Sequence, residues 1–333
     1  MRKFLSIVIP RYQETEQEIF PLLSSIANQV GIDLDDIEVL ITTDGGGADP
    51  LDENFLALFQ FETKQLRLEQ NGGCGVARQA AIDLARGEYI LCCDADDVLH
   101  NVGALGALMQ EAETSAPDIL TSNFLEEKVG PDGRYYYIMH DGPIGCWMHG
   151  KLLRRGFLTQ NNIRFHPDIK YHEDSYFLCV ATALADRMFH LPVTTYVWKH
   201  NPNSITRKDG AIYTYQSVPG YIEAITLAWE ALEALRPEQM TDKVLQFVHY
   251  IYFTLHLTDW WTTRPQLLDA AETAFTVRIA PWLHYYFEAN PAAVAESYNK
   301  ERGRVFQGGV ETETVAAWLD RLGLNEERRN CDV

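Results

Sequence analysis

The 333-residue sequence has little that would tie it to a membrane or to nucleic acid. No stretch reaches the roughly 18–20 consecutive apolar residues that a spanning helix needs. Positive charge is scarce: 28 Lys and Arg stand against 47 Asp and Glu, a formal net charge of −19. Such a surface repels phosphate backbones and anionic lipid alike, which argues against a nucleic-acid partner. Cysteine pairs of the C-x-x-C kind are missing. The six cysteines (Cys74, Cys92, Cys93, Cys146, Cys179 and Cys331) are scattered, and two of them sit inside an apolar run. They read as buried, reduced thiols of a cytoplasmic protein. Internal repeats and low-complexity tracts are also lacking. The opening MRKFLSIVIPRYQE places two basic residues before an apolar run, as a secretion signal would. That run spans only Phe4 to Ile9, with no small-residue cleavage site after it, so it reads as a strand.

What is present is a globular composition, 46% hydrophobic and 23% charged. The length suits one large domain with an appendage. The first half alternates short apolar runs with helical periodicity, the pattern of an α/β sheet. Phe4–Ile9 predicts a strand ending at Pro10. Ile19, Leu22, Leu23, Ile26, Ala27 and Val30 predict a helix closed by Gly31. Ile37–Thr42 and Tyr89–Cys93 predict two more strands, with a helix between them on Val76, Ala77, Ala80, Ala81, Leu84 and Ala85. Residues 118–124 and 134–139 predict further strands. From about Tyr213 the period becomes helical, with helices expected near 222–235, 244–261, 265–289 and 311–322. The division is expected near residue 210, giving domains 1–210 and 211–333.

Ligand sites of α/β sheets lie beyond the carboxyl ends of the strands. Three such ends carry Pro10-Arg11-Tyr12-Gln13-Glu14, Asp44-Gly45-Gly46 and Asp94-Ala95-Asp96-Asp97. An aspartate after a strand is usually a turn former or helix cap, and Asp97 is assigned that role ahead of a helix after Val98. Asp94 and Asp96 are not explained so simply, because clustered carboxylates repel unless a cation compensates. Hard oxygen ligands of this kind suit Mg²⁺ or Mn²⁺ with a diphosphate. The glycines of Asn71-Gly72-Gly73-Cys74-Gly75-Val76-Ala77-Arg78 open a helix, and its amides together with Arg78 favour an anion.

The blocks SIVIPRYQE, EVLITTDGG and NGGCGVARQAAIDLARGEYILCCDADD resemble the family 2 glycosyltransferases of the GT-A fold. The resemblance implies a mixed, mostly parallel sheet flanked by helices, with a C-terminal helical extension. It implies an inverting transferase that uses a nucleotide-sugar donor (UDP is favoured), a hydroxyl-bearing acceptor and a divalent metal. By it, Pro10, Tyr12, Glu14 and Asp44 surround the base and ribose. Asn71, Gly75 and Arg78 lie near the base or diphosphate, Asp94 and Ala95 near the ribose, and Asp96 on the metal. Two positions depart from the family pattern: Gln13 replaces the usual Asn, and Thr43-Asp44 replaces paired aspartates.

Cys146 to Leu158 resembles a tryptophan–lysine–arginine segment of capsule- and wall-type members, and His172-Glu173-Asp174 resembles their acceptor-site motif. That carries the general base onto Asp174, with Glu173 next in line. Carboxylates there also suit a helix N-terminus, and the two roles are compatible. Trp198 to Arg207 resembles a loop closing over the diphosphate, with Arg207 as a phosphate clamp and His200 as a further metal ligand. A lone histidine is more often structural. His249 and His256 read as core, and the aromatic stretch 244–261 as packed, with contact to a membrane surface or acceptor lipid the lesser reading. Two other enzyme classes fit less well. A haloacid-type phosphatase would carry D-x-D after its first strand, and a nucleotidyltransferase would carry a basic Gly-rich loop there. A non-catalytic sugar-nucleotide or glycan-binding module is the remaining alternative. The sequence is silent on sugar, acceptor and oligomeric state.

Overall fold

A computed structural model describes residues 3–143, 146–205, 207, 213–256, 261–286, 291–305 and 314–324. The chain divides into two compact units, Met1–Lys208 and Asp209–Val333.

In the first unit the elements run β1 (Lys3–Arg11), α1 (Glu16–Ala27), β2 (Ile37–Thr43), α2 (Glu53–Leu56), β3 (Glu62–Arg67), α3 (Cys74–Leu84), β4 (Gly87–Cys92) and β5 (Val98–Leu99). Then come α4 (Ala104–Ser115), β6 (Ile119–Val129), β7 (Tyr135–His140), β8 (Lys151–Arg154), α5 (Arg155–Gln160), α6 (Glu173–Leu184) and β9 (Met188–Trp198). They form one mixed sheet in the order β3-β2-β1-β4-β8-β6-β9-β5, with β7 also paired to β6. Parallel ladders join β1 to β2 and β4, β2 to β3, and β6 to β9, and these hold most of the paired residues.

β1 is apolar on both faces because it is central and covered twice. Leu5, Ile7 and Ile9 join the core with Leu22 and Ile26 of α1 and Leu105 and Leu108 of α4. Val8 points the other way, where α3 packs. The strand runs through Pro10 to Arg11, past the expected end. The Val8 carbonyl accepts from Cys93 N, so the backbone of Pro10, two residues on, faces the same side. β4 has ended there, so the N–H that proline lacks is not missed. α1 starts with a capping box between Thr15 and Glu18, and Gly31 beyond its end has φ 76°.

One expectation is corrected. Asp97 does not cap a helix: the two-residue strand β5 follows it, and α4 starts only at Ala104. The pattern also hid β9. Pro192 interrupts its alternation, and the β6–β9 register shifts around Asn123.

Among the described residues the second unit is all helical: α7 (Tyr213–Gln216), α8 (Val218–Glu233), α9 (Pro237–His256), α10 (Pro265–Tyr286), α11 (Pro291–Val305) and α12 (Val315–Arg321). Residues 257–260, 287–289 and 311–313 of the expected helices lie outside the described residues. α11 is an addition to the sequence reading. Its mean hydropathy is low and its apolar face weak, so it shows little periodicity. Trp229 packs edge-on against Phe247 and Trp282. His249 is buried against Ser297 Oγ at 3.0 Å, and burial pushes it down to about 4, so it is neutral. His256 stacks on Tyr252. Glu272 anchors α12 through Trp318 Nε1 and both terminal nitrogens of Arg321. No helix among the described residues is long and apolar enough to cross a membrane.

Candidate active site

The strand ends β1, β2 and β4 bring the three acidic segments to one edge of the sheet. Asp44, nearly buried, accepts from the amides of Gly45 and Gly72 on Oδ1 and of Gly73 on Oδ2, all within 2.9 Å. It thereby pins the loop that opens α3, leaving one accepting direction for a ligand. Gly45 is obligatory there, since a Cβ would lie 2.1 Å from the Gln70 carbonyl carbon. Pro10 is buried at the end of β1, while the Tyr12 ring is 41% exposed. Glu14 accepts from the Tyr12 amide at 2.7 Å, and Asn71 is exposed on the same rim. Ala95 is buried.

Arg78 lies at the centre. From the first turns of α3 its guanidinium reaches Asp94 Oδ1 at 2.6 Å and Glu173 Oε1 at 2.8 Å. Its Nε is buried with no partner among the described residues. Gly75 allows this approach of α3 to α6, because a Cβ would stand 2.9 Å from Glu173 Cγ. Burial opposes charge on Asp94, yet the guanidinium holds it below the usual carboxylate range. Asp174 is half-buried, accepting from Ser175 N at 2.7 Å. Burial, reinforced by the charge of Glu173, pushes it up to about 7. His172 just before has φ 61°, a left-handed turn into α6. Lys151 is buried at the start of β8, donates to the Trp147 carbonyl, and is pushed down to about 8 by burial.

Asp96 lies between β4 and β5. Its Oδ2 accepts from Asn201 Nδ2 at 2.7 Å. Burial and the charge of Asp94 push this carboxyl up, and the Asn201 amide only partly offsets them. A site with surplus negative charge and a free carboxylate oxygen fits a hard divalent cation shared with donor phosphates. Asp94, Asp97 and His149 also converge, with ligand-capable atoms within 4.8 Å of one another. That trio does not suit an ion. Arg78 takes Asp94 Oδ1, while Asp97 accepts from Tyr196 OH at 2.6 Å and from Lys199 N at 2.8 Å. His149 stacks on Tyr196 and is pushed down to about 4 by burial.

The segment after β9 carries His200 and Arg207, each with partners of its own. His200 donates its amide to Glu127 Oε1, and its ring packs edge-on to Tyr135. No hydrogen bond joins it to Asp96 among the described residues. Arg207 lies over the Trp198 ring at 4.5 Å, donates to the Lys199 carbonyl, and faces Glu126 at 3.6 Å. It must leave these partners to clamp a phosphate. Sequence reasoning missed Asn201, Tyr196 and His149. Asn201 and His149 lay inside quoted segments, but neither residue type signals such contacts by itself.

A mixed sheet whose parallel strand ends gather acidic and glycine-rich loops, with helices on its faces, defines the GT-A class of nucleotide-sugar transferase folds. The chain belongs to glycosyl transferase family 2, whose model matches residues 6–176. It is 27% identical over 228 residues to the uncharacterized glycosyltransferase EpsJ of Bacillus subtilis, covering 62% of this chain and 64% of EpsJ. It is 24% identical over 286 residues to the poly(ribitol-phosphate) beta-N-acetylglucosaminyltransferase TarS of Staphylococcus aureus, covering 81% of this chain and 47% of TarS. The chain therefore spans less than two thirds of either relative. Among solved structures, residues 1–349 of S. aureus TarS with UDP superpose at a TM-score of 0.60 and 20% identity, covering 93% of this chain and 99% of that one. The corresponding complex with UDP-GlcNAc gives 0.59.

Proposed function

We propose that this chain is an inverting glycosyltransferase, moving a sugar from a nucleoside-diphosphate donor, UDP being favoured, to a hydroxyl acceptor. The chemistry is assigned to residues 1–210, with 211–333 as a helical accessory domain. The observation that carries this reading is the Arg78 bridge. One guanidinium ties the acidic loop at Asp94 to Glu173, beside a carboxyl pushed up to about 7 at Asp174. Donor-side and acceptor-side groups are thus built into one cluster. The relatives' UDP and UDP-GlcNAc complexes support the choice of nucleotide.

In this reading the Tyr12 ring and Asp44 hold the nucleoside, and Arg78 presents its spare Nε–H to a donor oxygen. Asp96 would hold Mn²⁺ or Mg²⁺, and the ion would supply positive charge against the departing diphosphate. Asp174 takes the proton from the acceptor hydroxyl as that oxygen attacks the anomeric carbon from the side opposite the diphosphate. The carbon–oxygen bond to the diphosphate breaks in the same step, so the configuration inverts without a covalent enzyme intermediate. A base so placed contributes about 10²–10⁴-fold. Cys74, Cys92 and Cys93 are free thiols, and burial pushes Cys92 up to about 12, which suits the cytoplasmic location proposed.

Calorimetry of UDP binding with and without Mn²⁺ tests the assignment. Wild type should bind UDP more tightly with the ion, and Asp96→Asn should lose that gain. Unchanged Mn²⁺-dependent UDP binding in the variant would remove Asp96 from the site.

A further inference from the structure

The strand β7 meets the site described through Tyr135 against His200, yet its side chains Tyr135 to Met139 are all exposed large hydrophobics. Among the described residues it pairs with β6 only, and no described strand pairs with its far edge. One of its two faces is continuous with the candidate active site. Residues directly opposite in register share a face. Phe124, Glu126 and Lys128 of β6 therefore stand beside His140, Ile138 and Tyr136 of β7, and Phe124 and Glu126 beside Tyr196 and Trp198 of β9. At the inner end, Tyr196 touches the acidic loop through Asp97. Rings then continue outward: Trp198 lies 6.1 Å from Trp147, Trp147 5.1 Å from His140, and Ile138 and Tyr136 follow on the same strand.

The outer part of this strip is a flat apolar platform with polar hooks. Tyr136 is 47% and Ile138 38% exposed. Beside them the buried Glu126 receives Lys128 at 2.9 Å, His140 at 3.1 Å and Arg207 at 3.6 Å. Its charge is therefore countered within the strip. A lipid surface is disfavoured by the net charge of −19. Tyrosine suits a platform that must be bare in water between ligands, because its ring offers a rigid apolar face and its hydroxyl stays solvated.

We infer that the β6–β7 hairpin is an acceptor subsite that takes a pyranose ring of a glycan chain, stacked on Tyr136 and Ile138 and hydrogen-bonded by Lys128 and His140. The inference rests on the glycosyltransferase reading and names its acceptor class as an oligosaccharide long enough to reach from the acidic loop to β7. The sugar one or more units behind the reacting hydroxyl lies on the hairpin.

The test uses the full chain with Mn²⁺, titrated calorimetrically with UDP and separately with chitohexaose, cellohexaose and maltohexaose. Wild type should bind at least one oligosaccharide, and Tyr136→Ser and Ile138→Ser should each weaken that binding at least tenfold. Both side chains are exposed, so the melting temperatures of the variants should stay close to wild type and loss of fold is separable from loss of ligand. UDP binding without binding of any of the three oligosaccharides, or equal oligosaccharide binding by the variants, overturns the subsite and leaves the transferase reading standing. Absence of UDP binding by wild type defeats the transferase reading, and the hairpin is then judged on the oligosaccharide titrations alone. Sedimentation that shows wild type dimeric and Tyr136→Ser monomeric also overturns the subsite, because the strip would then face a second copy.

Discussion

The Tyr196 hydroxyl donates to Asp97 Oδ2 at 2.6 Å and accepts from the Asp94 amide at 3.0 Å. One phenol from β9 thus fixes both ends of the acidic loop. The other Asp97 oxygen takes the Lys199 amide, at the start of the segment that carries Asn201 to Asp96. Asp97 is fully buried, and burial with the charges of Asp94 and Asp96 pushes it well above the usual carboxylate range. Its place is that of an internal fastening between β4 and β9.

Tyr196→Phe keeps the ring and removes both hydrogen bonds. A buried acceptor left without its donor costs about 1–3 kcal/mol. Urea unfolding should show a loss in that range, and calorimetry a weaker Mn²⁺-dependent UDP affinity, since Asp94 and Asp96 lose their common anchor. Unaltered UDP affinity in a destabilised variant would confine the phenol to stability.

This fastening also shows where the sequence stopped being legible. The blocks at Pro10–Glu14, Asp44 and Asp94–Asp97 are legible because each follows a short, continuously apolar run of strand length, and the structure sets them at one sheet edge. From sequence Asp97 reads as a helix cap, because turns and caps are the common fate of an aspartate after a strand. Only the pairing of β5 with β9, some hundred residues away in sequence, makes it a buried acceptor. The same distance hid Asn201. Arg78 was placed near the nucleotide for its charge, but nothing local announced that Glu173, from α6, would share its guanidinium.

Arg78→Met tests that shared guanidinium. Arg78 is almost wholly buried, and its loss leaves Asp94 and Glu173 facing each other without a counter-charge. Breaking a buried pair from one side costs about 3–5 kcal/mol, so chemical denaturation should show a loss of that order. Adding Glu173→Gln should restore part of the stability, since it removes one of the stranded charges. No recovery in the double variant would mean that packing of the arginine stem outweighs its charge.

Gly75→Ala examines the closeness of α3 and α6. The added Cβ would meet Glu173 Cγ at 2.9 Å and Phe165 Cδ1 at 3.3 Å. Alanine favours the helix by about 1 kcal/mol over glycine, so a helix-only account expects a more stable protein. The contact expects the reverse, with Glu173 displaced from Arg78. A lower melting temperature in Gly75→Ala supports the contact, and a higher one refutes it.

Asp174 provides the sharpest pH dependence. A base must be ionised to accept a proton, so turnover should rise with pH and level off above about 7, the value to which burial and Glu173 push it. Stability should move the opposite way. The folded value lies above the ordinary carboxylate value, so this group's favourable contribution is complete below about 4 and is lost as pH rises through about 7. Asp174→Asn removes both effects. Its turnover should fall about 10²–10⁴-fold on the plateau above about pH 7 while UDP binding persists, because the base acts on the acceptor proton and not on the donor. Its melting temperature should match wild type only below about pH 4 and exceed it at pH 8, where wild type carries the charge. Steady-state rates across about pH 5–9 and thermal melts from about pH 4 to 9 read both trends. Near-normal turnover in the variant would exclude Asp174 as the base and pass the role to Glu173, which sits one residue earlier at the start of α6.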